Sequence, residues 1–222
     1  MAGRKVQAFL FDLDGVLVDS TAIVHRGWEI FSAERGLLIP DADYASAIYG
    51  RRTHEILTDY FGLAAMEADH LIAAGFDDKT LLVEREGGLK EIPGAIDFVR
   101  ASRDLGLRLA VASSASAPNV ALALRTLGVT DLFDAVISSA DVQRGKPAPD
   151  PYLVAAEAVG VDPRQAVVFE DSTFGIKSAR AAGARCVALA TTLARDKLPN
   201  VDLVIDNFVG LDPASLLRDF GA

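Results

Sequence analysis

Six short apolar runs, separated by amphipathic stretches, constrain the fold of this chain more than any other feature of its sequence. The runs read VQAFLF, LRLAVAS, DAVISS, AVVFE, RCVALA and DLVID. They are nearly continuous in apolar residues, which is typical of strands that are buried on both faces. Such strands, alternating with helical stretches, form a parallel sheet with helices on both sides. The sequence therefore predicts an α/β fold built on a doubly wound parallel sheet.

One part of the chain breaks this alternation. Residues 21–89 show helical patterns and no convincing strand, whereas helical candidates elsewhere, such as 95–105 and 174–182, stand between predicted strands. We therefore predict a core made of residues 1–20 and 90–222, interrupted by an all-helical domain at residues 21–89.

Polar side chains follow four of the predicted strands at or beyond the points where those strands end. In chain order they are Asp12, Asp14, Ser113, Ser114, Lys146, Glu170 and Asp171. In open α/β sheets, ligands bind beyond the carboxyl ends of the strands, which meet at one edge. We therefore expect these side chains to converge on one site.

Four of these side chains are carboxylates, and one lysine supplies too little counter-charge for them. A hard divalent cation with oxygen ligands, of the Mg²⁺ type, supplies the rest. A phosphate ester then becomes the natural ligand, because its charge of about −2 near neutral pH completes the balance. In such a site one carboxylate can attack phosphorus, a second can move the proton, and lysine and serine can hold the phosphoryl oxygens.

The composition bears on partners and location. The 222-residue chain has 31 acidic and 22 basic residues and a net charge of −9, so the electrostatic footprint of a nucleic-acid-binding protein is missing. No apolar run is long enough to span a bilayer, and the amino-terminal stretch lacks the apolar segment of a signal peptide. We predict a cytoplasmic enzyme that acts on a small molecule and contacts neither nucleic acid nor membrane. A monomer is expected, and a dimer stays open.

The motifs that carry these residues resemble those of the haloacid dehalogenase superfamily of phosphotransferases, which use an aspartate nucleophile. FDLDGVLVDS is similar to the first motif of that superfamily, VASSAS to the second, GKPAPDPYL to the third and VVFEDSTFGIKSARAAG to the fourth. The four motifs stand in order at the expected spacing, and the resemblance covers residues 6 to about 193. It implies a Rossmann-like core. It also implies that the insertion is the helical cap of the β-phosphoglucomutase-like branch, which closes over the substrate.

The resemblance also implies roles for individual residues. Asp12 is implied as the nucleophile and Asp14 as the general acid and base. The implied phosphate-binding groups are Ser113, the Ser114 amide and Lys146. The implied ligands of Mg²⁺ are the Asp12 carboxylate, the Asp14 carbonyl and Asp171, with Glu170 as a direct or water-mediated ligand.

The resemblance narrows the substrate as well. Dehalogenases and phosphonate-cleaving members lack an aspartate at the position of Asp14, so its presence favours phosphate esters. The stretches GRRTHEIL, KEIPGA, DVQRGKPAPDPYL and the ATT at residues 190–192 look most like the subgroup that hydrolyses glycerol phosphate, 2-deoxyglucose 6-phosphate and related sugar or polyol phosphates. In the cap, the candidates for substrate contact are Gly50, Arg51 and Arg52; the alternative is that the two arginines form a solvated helix start.

Two other functions stay open. One is a sugar-phosphate mutase, a class that the resemblance associates with a histidine near the start of the first cap helix. A count without gaps puts Val24 at that position, and the neighbouring His25 should point about 100° away. The other is a receiver module that uses Asp12 only as a phospho-acceptor, and the large helical insertion argues against it because a receiver has no substrate to enclose.

Overall fold

The computed structural model describes residues 5–76, 78, 83 and 88–221. In this part of the chain the strands are β1 (Ala8–Phe11), β2 (Val18–Asp19), β3 (Lys90–Glu91), β4 (Arg108–Ala112), β5 (Ala135–Ile137), β6 (Ala166–Glu170), β7 (Arg185–Leu189) and β8 (Leu203–Ile205). Six of them form one sheet in the order β5-β4-β1-β6-β7-β8, and every neighbouring pair is parallel. The strand order reverses beside β1, which is the topological switch point of a Rossmann-like sheet. The predicted doubly wound α/β fold is confirmed.

The helices of the described residues surround this sheet or lie in the insertion. They are α1 (Thr21–Glu34), α2 (Asp41–Asp43), α3 (Thr53–Glu55), α4 (Ala65–Ala73), α5 (Ala95–Asp104), α6 (Ala117–Leu127), α7 (Asp150–Ala158), α8 (Thr173–Ala181) and α9 (Pro213–Asp219). α2 and α3 each continue into a π-helical turn, at Tyr44–Ile48 and Ile56–Tyr60. Single 3₁₀ turns occur at Thr130–Leu132, Ser139–Asp141, Pro163–Gln165 and Arg195–Lys197. No helix in the described ranges is both long enough and apolar enough to cross a membrane.

The central strands are apolar throughout because both of their faces are covered. Successive side chains of a strand point to opposite faces, so Phe9 and Phe11 join a cluster with α5 and α6, whereas Ala8 and Leu10 join another with α7 and α8. On the first face Phe11 stacks on Phe169 of β6, with ring centroids 4.8 Å apart. This packing fixes the positions of the carboxyl ends of β1 and β6.

The insertion has its own apolar cluster, in which Trp28 and Phe31 of α1 pack against Phe61 and Phe76. Its stem is an antiparallel pair that the sequence analysis missed: Val18 of β2 pairs with Glu91 of β3, and Asp19 with Lys90. Two-residue strands are too short to show any periodicity. Residues 77, 79–82 and 84–87 of the predicted insertion lie outside the described residues. The domain boundaries 21 and 89 stay a prediction.

Candidate active site

The turn after β1 places Asp12 at the edge of the sheet. The backbone N–H of Asp12 donates to the Phe169 carbonyl at 3.0 Å, and its carboxylate accepts the Leu13 N–H at 2.8 Å. Gly15 continues the turn with a φ of +74°, and a Cβ atom there would lie 2.0 Å from Asp171 Oδ2. Only glycine combines that backbone conformation with so close an approach. The turn therefore brings the end of β1 against the end of β6.

Lys146 lies between two carboxylates. Its Nζ is 3.0 Å from Asp12 Oδ1 and 2.6 Å from Glu170 Oε1, and the Lys146 and Glu170 side chains are both 0% exposed. Burial alone would lower the pKa of Lys146, but the charges of Asp12 and Glu170 outweigh it and raise the pKa. Lys146 is therefore a cation at neutral pH, held against the side chain of Asp12.

Glu170 is hydrogen-bonded by the protein through both of its oxygens. Oε1 accepts from Lys146 and from the Tyr152 hydroxyl at 2.7 Å, and Oε2 accepts from the Asp171 and Ser172 N–H groups and from Ser172 Oγ at 2.9, 3.0 and 3.1 Å. Burial opposes ionisation of this carboxyl, yet Lys146 and these donors hold its pKa below the usual value. Five donors leave little room for a direct bond from Glu170 to a metal.

Three buried carboxylates meet at this edge. Oxygens of Asp12, Glu170 and Asp171 lie within 4.8 Å of one another, and none of the three residues is more than 4% exposed. Burial, together with Glu170 and Asp14, raises the pKa of Asp12 to about 8, and burial with the neighbouring carboxylates raises the pKa of Asp171 well above its usual value. One lysine does not balance three carboxylates. A divalent cation with oxygen ligands fits this donor set and removes the imbalance.

Asp14 does not join this cluster. The sequence argument placed four carboxylates beside one another, but the chain turns sharply at Leu13, whose carbonyl accepts the N–H groups of Leu17 and Val18. The turn carries the Asp14 side chain to the cavity side, where Ser20 Oγ donates to Asp14 Oδ1. The Asp14 side chain therefore lies outside the buried carboxylate cluster, but it lines the same cavity as Asp12 and Asp171. This position is suited to exchanging a proton with a ligand in the cavity.

The two serines after β4 differ in their surroundings. Ser113 is 3% exposed; its N–H donates to the Ile137 carbonyl of β5 at 2.9 Å, and its hydroxyl accepts from the Ala115 N–H at 3.1 Å. Ser114 lines the cavity, and its hydroxyl donates to the Gly50 carbonyl at 2.8 Å. The Ser114 hydroxyl therefore joins the insertion to the core.

The two arginines of the insertion lie in different places. Arg51 lines the cavity, pairs with Asp59 and packs over the Phe174 ring, whose centroid is 5.3 Å from its guanidinium carbon. The Arg51 Nε atom is buried and has no hydrogen-bond partner among the described residues. Arg52 is not part of the cavity wall; its guanidinium donates to the carbonyls of Val142 and Gln143 in the core. Arg52 thus lies in the contact between insertion and core.

A cavity of about 130 Å³ lies between the core and the insertion. The core contributes Asp12, Asp14, Ser114, Asp171 and Thr192 to its wall. The insertion contributes mainly apolar side chains, namely Ile23, Val24, Trp28, Ile48, Ile56 and Phe76, beside the polar Thr21, Tyr49, Arg51 and Thr53. Asp78 of the insertion also lines the wall, so most of the carboxylates come from the core and most of the apolar surface comes from the insertion.

Comparison with known proteins identifies the family. The model of the haloacid dehalogenase-like hydrolase family matches residues 9–189. The chain belongs to the haloacid dehalogenase-like hydrolases. It is 34% identical to hexitol phosphatase A of Escherichia coli, over 90% of this chain and 91% of the relative. It is 33% identical to the validoxylamine A 7'-phosphate phosphatase of Streptomyces hygroscopicus subsp. limoneus, over 88% of this chain and 91% of that relative.

The fold agrees with solved structures of the family. The crystal structure of CbbY from Rhodobacter sphaeroides in complex with phosphate superposes with a TM-score of 0.78, at 26% identity, over 93% of this chain and 96% of that one. The predicted superfamily is confirmed, and the phosphatase names of the relatives agree with the predicted class of enzyme. The chain is a haloacid dehalogenase-like hydrolase with a helical insertion after its first motif.

Three residues of this hydrolase contribute to the site although the sequence analysis assigned them no role. Tyr152 donates to Glu170, and its ring centroid is 5.1 Å from Lys146 Nζ, close enough for a cation–π contact. Ser20 binds Asp14, and Thr192 lies beside Asp171, whose carboxyl it hydrogen-bonds. The sequence feature that could have pointed to Tyr152 is its position in the third motif, six residues after Lys146. Ser20 closes the first motif, and Thr192 ends the ATT stretch just after β7.

Proposed function

We propose that this chain is a phosphatase that hydrolyses a small sugar or polyol phosphate monoester in two steps. The observation that carries the proposal is the division of the two aspartates of the first motif. Both line the cavity, but Asp12 is buried against Lys146, whereas Asp14 is less buried and its carboxylate accepts from Ser20. This arrangement supplies one carboxylate for attack and another for proton transfer.

In the first step, a carboxylate oxygen of Asp12 attacks phosphorus, and the bond from phosphorus to the alcohol oxygen breaks as Asp14 donates its proton to that oxygen. In the second step, Asp14 takes a proton from water, the water oxygen attacks phosphorus, and the bond to Asp12 breaks, which releases inorganic phosphate. Lys146, the Ser113 hydroxyl and the Ser114 amide hold the phosphoryl oxygens during both displacements. Glu170 and Tyr152 keep the Lys146 ammonium in place.

The metal belongs to the carboxylate end of the cavity. We propose that Asp12, the Asp14 carbonyl and Asp171 hold Mg²⁺, which supplies positive charge beside the phosphate and the buried carboxylates. The excess of carboxylates over lysine at this edge supports the assignment. Glu170 is proposed to orient Lys146 and not to bind the metal directly, because its oxygens already accept five hydrogen bonds.

The part of the cavity wall that the insertion provides is proposed to contact the alcohol part of the substrate. Its wall is largely apolar, with Val24, Trp28 and Ile56 among its side chains, and this favours a sugar or polyol that packs its C–H groups against this surface and turns its hydroxyls towards the polar part of the wall. The guanidinium of Arg51, which lines the cavity, offers N–H donors for a hydroxyl or ether oxygen of that substrate. The name of the relative hexitol phosphatase A supports a sugar or polyol phosphate as substrate.

The proposal predicts sustained turnover that depends on a metal. With p-nitrophenyl phosphate and Mg²⁺ we expect continuous release of phosphate over many turnovers, and with excess EDTA a loss of at least about a hundredfold that added Mg²⁺ restores, because the carboxylates then lack their counter-charge. A colorimetric assay of phosphate release measures both the sustained turnover and its dependence on Mg²⁺. Release of one equivalent followed by arrest would indicate a receiver module, and full activity after exhaustive chelation would exclude the metal.

The same site is predicted to hydrolyse phosphate esters and not to isomerise them. Val24 lines the cavity, whereas His25 stacks on Tyr44 with ring centroids 3.8 Å apart and lies 3.2 Å from the Tyr49 hydroxyl. Valine cannot hydrogen-bond, so Asp14 stays available to activate water on the phosphorylated enzyme. With glucose 1-phosphate we expect inorganic phosphate and little glucose 6-phosphate by phosphorus NMR. Isomer formation faster than phosphate release, in the presence of a trace of bisphosphate, would favour the mutase.

A further inference from the structure

A pair of charged residues in the insertion binds the loop that carries Lys146. Arg52 donates from Nη1 to the Val142 carbonyl at 3.2 Å and from Nη2 to the Gln143 carbonyl at 3.1 Å. Glu55 accepts the Gly145 N–H through Oε1 at 3.0 Å, and the same oxygen is 2.6 Å from Arg52 Nη2. Three hydrogen bonds therefore join the insertion to residues 142–145, and the next residue is Lys146.

The contact is close as well as polar. The Arg52 and Glu55 side chains are only 18% and 19% exposed. A Cβ atom at Gly145 would lie 2.7 Å from Arg52 Nε and 2.8 Å from each Glu55 oxygen, so position 145 has no space for a side chain while the pair is in place. The loop and the Arg52–Glu55 pair therefore fit one another at atomic distance.

The core holds the same loop from the other side. Arg144 pairs with Asp150 at 2.7 Å, and Ser178 Oγ donates to the Ala148 carbonyl at 2.6 Å. These contacts lie within the core and do not change if the insertion moves. The bonds from Arg52 and Glu55 exist only while the insertion lies against the core.

We propose that Arg52 and Glu55 are positioning residues that fix the 142–145 loop, and with it Lys146, when the insertion closes over the substrate. The proposal rests on the proposed phosphatase function and adds that closure of the insertion is coupled to the placement of Lys146. When the insertion closes, the three hydrogen bonds to the 142–145 loop form and complete the phosphate site. When the insertion opens, the loop loses them. An error of about 1 Å in the placement of a group at the reacting centre can cost about a hundredfold in rate.

The kinetic test uses Arg52→Ala, Glu55→Ala and the double variant, with Arg26→Ala as the matched control, because Arg26 forms an exposed ion pair with Glu29 elsewhere in the insertion. We expect kcat for p-nitrophenyl phosphate to fall about 10- to 100-fold in each single variant, with KM changed less than about threefold. The double variant should lose little more than the larger single loss, because the pair acts as one unit. Arg26→Ala should retain kcat within about twofold. Unchanged kcat with a raised KM in Arg52→Ala would overturn the proposal in favour of direct substrate binding.

The second test needs no turnover. Hydrogen exchange of the Gly145 amide should accelerate at least about tenfold in Glu55→Ala and stay unchanged in Arg26→Ala, with the melting temperature of both close to wild type. Unchanged exchange at Gly145, or faster exchange over the whole chain, would overturn the positioning role. Absence of phosphate release by the wild-type protein would instead overturn the proposed function, and the exchange result would still decide whether the pair holds the loop.

Discussion

Replacing Asp12 with asparagine is expected to lower kcat for phosphate release by at least about a thousandfold while the protein stays folded. Asparagine cannot act as the nucleophile, and losses of this size or larger follow the removal of a nucleophile in other enzymes. The fold should tolerate the change because the amide oxygen can still accept from Leu13 and Lys146, which both bind Oδ1 of Asp12. Circular dichroism and initial rates with p-nitrophenyl phosphate measure the two outcomes.

The matched control is Asp19→Asn, the same substitution at an exposed aspartate of β2. It should retain the wild-type rate within about twofold. Near wild-type kcat in a folded Asp12→Asn variant would exclude a covalent intermediate on Asp12.

Replacing Lys146 with methionine is expected to affect both stability and rate. Methionine has a similar length and keeps the apolar contacts, but it leaves Asp12 and Glu170 buried without their counter-charge. Breaking a buried ion pair by removing one partner costs about 3–5 kcal/mol, which urea unfolding in EDTA would measure. The loss of a donor that holds the phosphoryl group should lower kcat by about 10²–10³. The unfolding deficit should shrink when Mg²⁺ is added, because the cation restores positive charge to the cluster.

Two further variants separate the structural and catalytic parts of this effect. Lys197→Met removes a lysine that is 73% exposed, and it should change neither the unfolding free energy nor kcat appreciably. Lys146→Met combined with Glu170→Gln removes one charge of each sign and should recover part of the lost stability without recovering activity. Equal urea midpoints for Lys146→Met and the wild type would contradict the role assigned to the buried cluster.

The sequence was sufficient to predict the strands of the core and the site at the edge of its sheet. All six predicted strands are present, and the apolar pattern is explained by cover on both faces for the central strands β1, β4, β6 and β7. The edge strands β5 and β8 were predicted to be buried on both faces as well, and that part is wrong because they are only partly buried. It also predicted which residues meet: Asp12, Lys146, Glu170 and Asp171 are drawn from three distant motifs and lie together at one sheet edge. Parallel topology alone brings strand ends to a common edge, so no side-chain detail was needed.

Other features depended on tertiary contacts. The sequence put Asp14 among the buried carboxylates, and the turn at Leu13 separates it from them. The sequence offered Arg51 and Arg52 as equivalent candidates, and the structure places one on the cavity and the other on the loop before Lys146. Neighbouring residues at the start of a helix point in directions about 100° apart, so composition cannot tell which of them faces a ligand.

What the sequence by itself determined is the set of chemical groups and the edge of the sheet where they gather, because the strands are visible as local patterns of apolar residues and the carboxyl ends of parallel strands meet at one edge. The tertiary structure alone decided the hydrogen-bond partners of each group. Glu170 could have been a metal ligand or a partner of Lys146, and its five donors come from Lys146, Tyr152, Asp171 and Ser172, which lie up to 24 residues away in the chain. Such partners are set by packing between distant elements, and the distances that packing creates are not encoded in the spacing of residues along the chain.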